Sequence, residues 1–254
     1  MTVDFGPAAE DYARYRTGFP PEFFTRLAAL GVGSPGQRIA DLGTGTGALA
    51  RELAAAGCAV TGVDVAPELL DQARDLGTAA GVDVTYRVAP AEDTGLPGGQ
   101  WDVVTAAQCW HWFDAPRAVA EVRRLLRPGG VVVLCSRDYV LDPGNVCEAS
   151  ERLILTHNPG WPMAGSPGTH DEWAAGLTGF TDLETFTFDV DVPYTHAAWR
   201  GRMRSSNGVA ATLPADRVAA FDTDLARLLR DRFPDEPLRV PHRVFAMIAT
   251  TPAR

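Results

Sequence analysis

The chain has 254 residues, of which 46% are hydrophobic and 22% charged, and this suits one large α/β domain with room for a smaller substrate-covering part. Its formal net charge of −9 argues against a nucleic-acid partner, because such binding normally depends on a basic surface. No apolar run is long enough to span a bilayer, and the first residues have neither the basic start nor the apolar core of a signal peptide, so we expect a cytoplasmic protein without a membrane partner.

The first predicted helix, near 21–30, follows an aromatic and arginine-containing stretch at 12–16. From about 37 to 136, short apolar runs alternate with helical segments, which is typical of βαβ units and a parallel sheet. The continuous apolar character of those runs indicates strands that are covered on both faces. The predicted strands are 38–42, 59–63, 84–88, 101–106 and 131–136, and the predicted helices between them are 48–56, 67–80 and 115–126.

The second half of the chain begins with a Pro- and Gly-rich stretch, 138–179, which we predict to be a long loop. After it we predict a strand at 183–192, helices at 197–204 and 214–232, and a final strand at 239–250. The four cysteines form no CxxC pair and have no histidine at metal-ligand spacing, so we expect no metal site.

The sharpest feature is a glycine-rich turn between the first strand and the next helix. The strand ends at Asp41, the glycines Gly43, Gly45 and Gly47 follow, and the helix begins at Ala48. Glycines let the backbone approach a ligand closely, and the first amides of a helix are free to bind one. Because the turn also satisfies a relaxed dinucleotide-binding pattern, the glycines alone leave a nicotinamide cofactor open.

Two acidic residues at strand ends separate these alternatives. Asp64 ends the second strand, about 20 residues after the turn, where a carboxylate accepts hydrogen bonds from ribose hydroxyls. Asp41 would repel a pyrophosphate placed over the turn, whereas it would help to hold a cationic amino-acid portion, either directly or through water. The charges therefore favour S-adenosylmethionine, which carries an ammonium and a sulfonium, over NAD, which carries two phosphates. The structural alternative for both acids is a helix cap or a turn.

Five sequence blocks then occur in order: ADLGTGTG at 40–47, VTGVD at 60–64, APAED at 89–93, WDVVTAAQCWHW at 101–112 and LLRPGG at 125–130. Together they resemble the class I (Rossmann-like) S-adenosylmethionine-dependent methyltransferases. The resemblance implies an α/β fold with a doubly wound, mostly parallel seven-stranded sheet of order 3-2-1-4-5-7-6, whose last strand is antiparallel, and with a helical lid. It also implies a single domain over 1–254, divided into N-terminal cofactor-covering helices (1–36), a cofactor-binding core (37–136), a substrate lid (137–182), and C-terminal strands and helices (183–254).

Two stretches, YARYR at 12–16 and AAQCWHWF at 106–113, are similar to the small-molecule branch of that family, which includes trans-aconitate and natural-product methyltransferases. We therefore expect methyl transfer from S-adenosylmethionine to an oxygen or nitrogen atom of a small molecule, in secondary metabolism. The resemblance places these residues around the cofactor: Tyr12, Tyr15, Arg16, Asp41, Gly43, Gly45, Gly47, Asp64, Val65, Ala91, Glu92 and Gln108.

Within that set, the resemblance gives each part of the cofactor its own neighbours. Many relatives have an acid at position 90, where this chain has Pro90, so Glu92 or Asp93 would have to supply the contact with the adenine amino group. Tyr12 and Tyr15 share one face of a helix, so packing on the core is their alternative role. The expected neighbours are Asp41 and the three glycines for the methionine end, Asp64 for the ribose, Val65 for the adenosine, Ala91 and Glu92 for the adenine edge, Gln108 for the methyl-transfer region, and Tyr12, Tyr15 and Arg16 as a cover.

The candidates for the acceptor side follow the fourth predicted strand. His111 titrates near neutrality and could remove a proton from an acceptor hydroxyl or amine, or it could simply be packed between its two tryptophan neighbours. We expect Trp110 and Trp112 to contact the acceptor. Arg200 could bind an acceptor carboxylate through the fork of its guanidinium, with a solvated helix face as the alternative.

Three other functions remain open at this stage. A nicotinamide-dependent oxidoreductase shares the glycine turn, but the chain has no lysine and so cannot carry a catalytic Tyr-x-x-x-Lys. An enzyme that uses S-adenosylmethionine for a non-methylating reaction, such as cyclisation, would share the whole cofactor site. A non-enzymatic binding protein on the same fold is the third.

Overall fold

The computed structural model describes residues 18–253, which form seven strands and seven α-helices. Tyr12, Tyr15 and Arg16 lie outside the described residues. The strands are β1 (Arg38–Leu42), β2 (Ala59–Asp64), β3 (Thr85–Val88), β4 (Trp101–Ala107), β5 (Leu126–Tyr139), β6 (Thr181–Tyr194) and β7 (Leu238–Thr250). The helices are α1 (Pro21–Ala29), α2 (Ala48–Ala55), α3 (Pro67–Ala80), α4 (Ala115–Leu125), α5 (Val146–His157), α6 (His196–Arg204) and α7 (Ala215–Arg232).

The strands form one seven-stranded sheet of order β3-β2-β1-β4-β5-β7-β6. β1 pairs in parallel with β2 and β4, β2 with β3, and β4 with β5, while β7 runs antiparallel. Both the predicted fold class and the predicted strand order are confirmed. The order reverses beside β1, so the loops that follow β1, β2 and β4 meet at the carboxyl edge of the sheet, where ligands bind in open α/β sheets.

Local sequence signals account for the helix ends. Proline occupies the first turn of α1, α3 and α4, where its missing amide hydrogen is not needed. The side chain of Asp114 accepts a hydrogen bond from the backbone at the start of α4, and α3 ends at Gly81 in the left-handed conformation. α2 begins directly after Gly47, which is itself left-handed, so the glycine turn feeds straight into this helix.

The described chain packs as two compact units. The larger unit contains Gly18–Arg137, His170–Thr187 and the described residues from Val244 onward. Its core on one side of the sheet joins β1, β2, β4, β5 and β7 residues to α4 and to the short 3-10 helix Asp171–Gly176. The smaller unit contains Asp138–Thr169 and Phe188–Arg243, and its core is built mainly from α5, α6 and α7. The predicted subdivision into four segments remains a prediction. The residues of the predicted lid, 137–182, are shared between the two units.

One expectation was wrong: the stretch 138–179 is not a continuous loop, because it contains α5 and the 3-10 helix Asp171–Gly176. Asn145 caps α5 by accepting a hydrogen bond from the amide of Glu148 at 2.8 Å, and the Glu148 carboxylate accepts one from the amide of Gly144 at 2.7 Å. This reciprocal arrangement stabilises a helix start. Pro143 and Gly144 precede the helix, and Pro159, Pro162 and Pro167 follow it, so none of them interrupts it.

β5 is also longer than predicted. Its pairing with β4 starts at Leu126 opposite Trp101 and becomes irregular before Val103, so the Pro-Gly-Gly stretch is part of the strand and not a turn before it. Among residues 18–253, no helix is long and apolar enough to cross a membrane, and no cluster of His, Cys, Asp and Glu could hold a metal ion.

Candidate functional site

The glycine turn after β1 is a tight, left-handed structure. Gly43, Gly45 and Gly47 have φ of 64°, 54° and 71°, a region that side-chain-bearing residues rarely adopt. A Cβ on Gly43 would lie 2.7 Å from the Sγ atom of Cys109, so only glycine fits there. A Cβ on Gly45 would meet no atom of residues 18–253 within 4 Å, so this part of the chain leaves space on that side, where a ligand can approach the backbone.

Asp41 is buried beneath this turn and binds two threonine side chains. Its side chain is only 1% exposed, and its two carboxylate oxygens accept hydrogen bonds from the hydroxyls of Thr44 (2.7 Å) and Thr105 (2.6 Å). Burial raises the pKa of Asp41 to about 6, although both hydrogen bonds act in the opposite direction, and the negative charge of Asp64 raises it further. The carboxylate of Asp41 therefore links Thr44 of the glycine turn to Thr105 of β4, and it does not reach the surface.

Asp64 links two successive loops at the carboxyl edge. One of its oxygens accepts a hydrogen bond from the amide of Gly45 at 2.8 Å, and the other accepts one from the amide of Ala66 at 3.0 Å. The carboxylate remains half-buried, with lone pairs left for a further donor. Next to it, Val65 exposes 66% of its apolar side chain, which suits the face of a planar ring.

The turn after β3 lies beside this edge. Ala91 is buried, Glu92 is half-buried, and the amide of Asp93 closes the turn by donating to the carbonyl of Pro90 at 3.2 Å. The carboxylate of Glu92 accepts a hydrogen bond from the amide of Asp114 at 2.8 Å, so it is already engaged at the start of α4. It can accept further hydrogen bonds, but its orientation is set by that contact.

Gln108 follows β4 in an unusual backbone conformation. Its φ of 62° is rare for a residue with a side chain and is typical of constrained functional positions. Its amide donates to the carbonyl of Cys135 at 2.8 Å, and its side-chain amide donates to the carbonyl of Arg137 at 2.5 Å. Both bonds fix Gln108 against β5, while its side-chain oxygen remains an acceptor.

Comparisons with known proteins bear on this edge of the sheet. A family model described as a methyltransferase domain matches residues 40–134. An uncharacterized methyltransferase of Mycobacterium tuberculosis is 40% identical over 130 residues, which are 51% of this chain and 50% of that protein. The malonyl-[acyl-carrier protein] O-methyltransferase of Serratia marcescens is 36% identical over 109 residues, 42% of this chain and 41% of that protein. The chain thus spans about half the length, or less, of these curated relatives.

A solved structure matches nearly the whole chain. It is a candidate Type II methyltransferase from Anaeromyxobacter dehalogenans, with a TM-score of 0.68 and 28% identity, and the match covers 94% of this chain and 98% of that one. Residues 40–134 are a class I methyltransferase domain. The matched range includes the glycine turn, Asp64, the turn after β3, and Gln108.

The acceptor-side candidates of the methyltransferase domain occupy a short 3-10 helix, Trp110–Trp112. Trp110 is only 3% exposed and packs edge-on against Phe113, so its side chain belongs to the core and not to a ligand surface. Trp112 is 40% exposed, and the exposed ring of His111 lies 4.8 Å from it. His111 and Trp112 therefore remain accessible to an acceptor, whereas the expectation for Trp110 is not supported by its burial.

Arg200 lies on α6 in the smaller unit, where its guanidinium forms a double hydrogen bond with Asp222 of α7. Arg204 donates to the same carboxylate at 2.8 Å. Asp222 thus engages the Nε–Nη2 side of the Arg200 guanidinium. The role of Arg200 in binding an acceptor stays a prediction, and the contact that the structure shows for it is an internal ion pair.

Several residues that shape the methyltransferase domain were not among the predicted ones. Thr44 and Thr105 hold Asp41, and Cys109 fills the space under Gly43 with its Sγ donating to the carbonyl of Leu42 at 3.2 Å. Burial raises the pKa of the Cys109 thiol well above its ordinary value. Thr44 stands within the glycine turn, so its proximity to Asp41 is a local signal, whereas Thr105 and Cys109 lie more than 60 residues away from their partners.

Proposed function

We propose that this chain transfers the methyl group of S-adenosylmethionine to an oxygen or nitrogen atom of a small-molecule acceptor. The observation that carries the proposal is the hydrogen bond from the amide of Gly45 to the carboxylate of Asp64. In a dinucleotide site, amides of the glycine turn face phosphate oxygens. Here a carboxylate already accepts from that amide, and a second carboxylate, Asp41, lies beneath it. Two negative groups at one turn disfavour a pyrophosphate and suit a nucleoside with cationic groups.

The residues at the sheet edge fit the parts of this cofactor. Asp64 has lone pairs for the ribose hydroxyls, and the exposed side chain of Val65 offers an apolar surface to the base. The open side of Gly45 leaves room for the methionine portion. We further propose that Ala91 and Glu92 border the adenine edge, that Gln108 faces the reacting methyl group, and that Tyr12, Tyr15 and Arg16 cover the bound cofactor.

The chemistry needs little from the protein beyond alignment. S-adenosylmethionine supplies a methyl group that is already activated by the positive sulfur. The domain would hold the acceptor in line and exclude water. His111 would accept a proton from an acceptor hydroxyl or amine, whereas a carboxylate acceptor would need no base. The name of the Serratia marcescens relative specifies oxygen methylation, and this favours an oxygen acceptor here as well.

The net charge of −9 disfavours a nucleic-acid acceptor and so supports a small molecule. The resemblance to the small-molecule branch of the family favours an acceptor of secondary metabolism, and we propose the cytoplasm as the location.

Ligand binding separates this proposal from the oxidoreductase alternative. Isothermal titration calorimetry of the purified chain with S-adenosylhomocysteine, S-adenosylmethionine and NAD should show micromolar binding of the first two only. Incubation with S-adenosylmethionine and a panel of hydroxyl, carboxyl and amine acceptors should then release S-adenosylhomocysteine. Tight binding of NAD, or formation of a product other than S-adenosylhomocysteine from the cofactor, would contradict methyl transfer.

A further inference from the structure

A buried acid on α4 holds the turn that follows β3. Glu121 is only 6% exposed, yet it has no direct place in the glycine turn or at Asp64. One of its carboxylate oxygens accepts two hydrogen bonds from Thr94, from the amide at 2.9 Å and from the hydroxyl at 2.5 Å. The hydroxyl of Thr94 in turn accepts a hydrogen bond from the amide of Leu96 at 3.1 Å. Glu121 therefore fixes Thr94 directly and Leu96 through the Thr94 hydroxyl.

Arg124, one turn further along α4, completes this network. Its guanidinium donates to both oxygens of Glu121, at 2.6 and 2.7 Å, and to the carbonyl of Leu96 at 2.8 Å. Burial by itself would raise the pKa of Glu121, but the hydrogen bonds from Arg124 and Thr94 outweigh it and hold that pKa below its ordinary value. Glu121 therefore stays ionised, and three charge-assisted hydrogen bonds hold the loop, two from Thr94 to Glu121 and one from Arg124 to the carbonyl of Leu96.

The same turn is attached to α4 at a second point. The carboxylate of Glu92 accepts from the amide of Asp114, at the first turn of the helix, while Thr94 is held two turns later by Glu121. Residues 92–94 are thus tied to one rigid helix at both ends. A loop that served only to connect β3 with β4 would not need a buried carboxylate with a partly exposed arginine beside it, because burying a charge is costly unless it is paired and hydrogen-bonded.

We propose that Glu121 and Thr94 are positioning residues that fix the turn at 91–94 against the adenine ring, and thereby set the preference of the site for adenine over hypoxanthine. The inference rests on the proposed function, in which this turn borders the adenine edge. Adenine presents an acceptor at N1 and a donor at N6, whereas hypoxanthine presents a donor and an acceptor at the same places. Backbone groups can distinguish these patterns only if they are held within hydrogen-bond tolerance, because a mispaired buried polar group strongly weakens binding.

The test compares two ligands that differ only at this edge, S-adenosylhomocysteine and S-inosylhomocysteine, by calorimetry. The wild-type chain should bind the adenosyl ligand at least about tenfold more tightly. Glu121→Gln and Thr94→Val should lower this ratio by about five- to tenfold, mainly through loss of affinity for the adenosyl ligand. Thr94→Ser keeps both donors and should retain the wild-type ratio. Val122→Ala removes buried volume from the same helix without touching the network, so it reports the effect of lower stability alone.

The outcomes distinguish this inference from the function on which it rests. If the wild-type chain binds neither ligand, the proposed function fails and the inference fails with it. If the wild type binds S-adenosylhomocysteine but the ratio is unchanged in Thr94→Val, or falls equally in Val122→Ala, Glu121 and Thr94 only stabilise the fold and the inference is overturned. Because Thr94→Val replaces one side chain by another of the same shape, it decides the question even if Glu121→Gln does not fold.

Discussion

Replacement of Asp64 should weaken cofactor binding through two separable losses. In Asp64→Asn, the single carbonyl oxygen can accept from Gly45 or from Ala66 but not from both, and the new amide group faces the remaining donor. Loss of these internal bonds loosens the loop, whereas a hydrogen bond from a ribose hydroxyl to the charged carboxylate would contribute about 1.5–3 kcal/mol to binding. Losing that bond corresponds to roughly a tenfold to hundredfold rise in the dissociation constant. Asp64→Ala removes both bonds and any contact with the ribose, so it should have the larger effect.

Calorimetry with S-adenosylhomocysteine measures the total loss, and its 2′-deoxy analogue isolates the ribose contribution. If Asp64 binds the ribose hydroxyl, the wild type should discriminate against the deoxy analogue and Asp64→Ala should not. Asp71→Ala serves as the control, because Asp71 forms only an exposed ion pair with Arg74 on α3. A dissociation constant within about threefold of wild type for Asp64→Ala would refute the assignment.

Three further predictions concern the surroundings of the turn. The pKa of Asp41 is raised in the folded state, from an ordinary value of 3.8 to about 6, so the folded chain binds more protons than the unfolded chain between these two pH values. The contribution of Asp41 to the free energy of unfolding therefore falls as the pH rises from 3.8 to about 6. Relative to wild type, Asp41→Asn should therefore gain up to about 3 kcal/mol in the free energy of unfolding between pH 4 and 7, as measured by urea denaturation, and a pH-independent difference would contradict the raised pKa. Gly43→Ala should lower the melting temperature strongly, because of its positive φ and of the contact with Cys109. Gly45→Ala should lower it less, through its positive φ alone, and yet weaken S-adenosylhomocysteine binding; equal melting temperatures for the two would refute this contrast. Gln108→Gly should melt at a higher temperature than Gln108→Ala, because glycine adopts positive φ more readily by about 1 kcal/mol; the reverse order would show that φ is not the source of strain.

The parts of the site that could be predicted are those whose residues are close in sequence. The glycine turn, Asp64 and the alternation of strands and helices follow from short motifs and from apolar periodicity, which report local geometry. The strand order was implied by the resemblance to the methyltransferase family, and the sheet confirms it. Helix α5 was missed even though Asn145 and Glu148 form a recognisable start signal, because the prolines that follow it dominated the interpretation of the stretch.

The contacts that sequence could not reveal join distant positions. Thr105 lies 64 residues from Asp41, Thr94 lies 27 from Glu121, and Arg200 lies 22 from Asp222. No motif links the members of these pairs, and each partner can be identified only once the elements are packed. The different exposure of Trp110 and Trp112 also depends on packing, because the geometry of the 3-10 helix that contains both decides which ring enters the core.

The buried thiol under the glycine turn has a consequence for the proposed methyl transfer. A sulfonium cofactor is an alkylating agent, and sulfur nucleophiles react with such agents as thiolates far more readily than as thiols. Cys109 contacts the turn from inside, and its strongly raised pKa keeps the sulfur protonated at neutral pH. We therefore expect the protein to resist self-methylation at its own cofactor site, although a cysteine stands directly behind it.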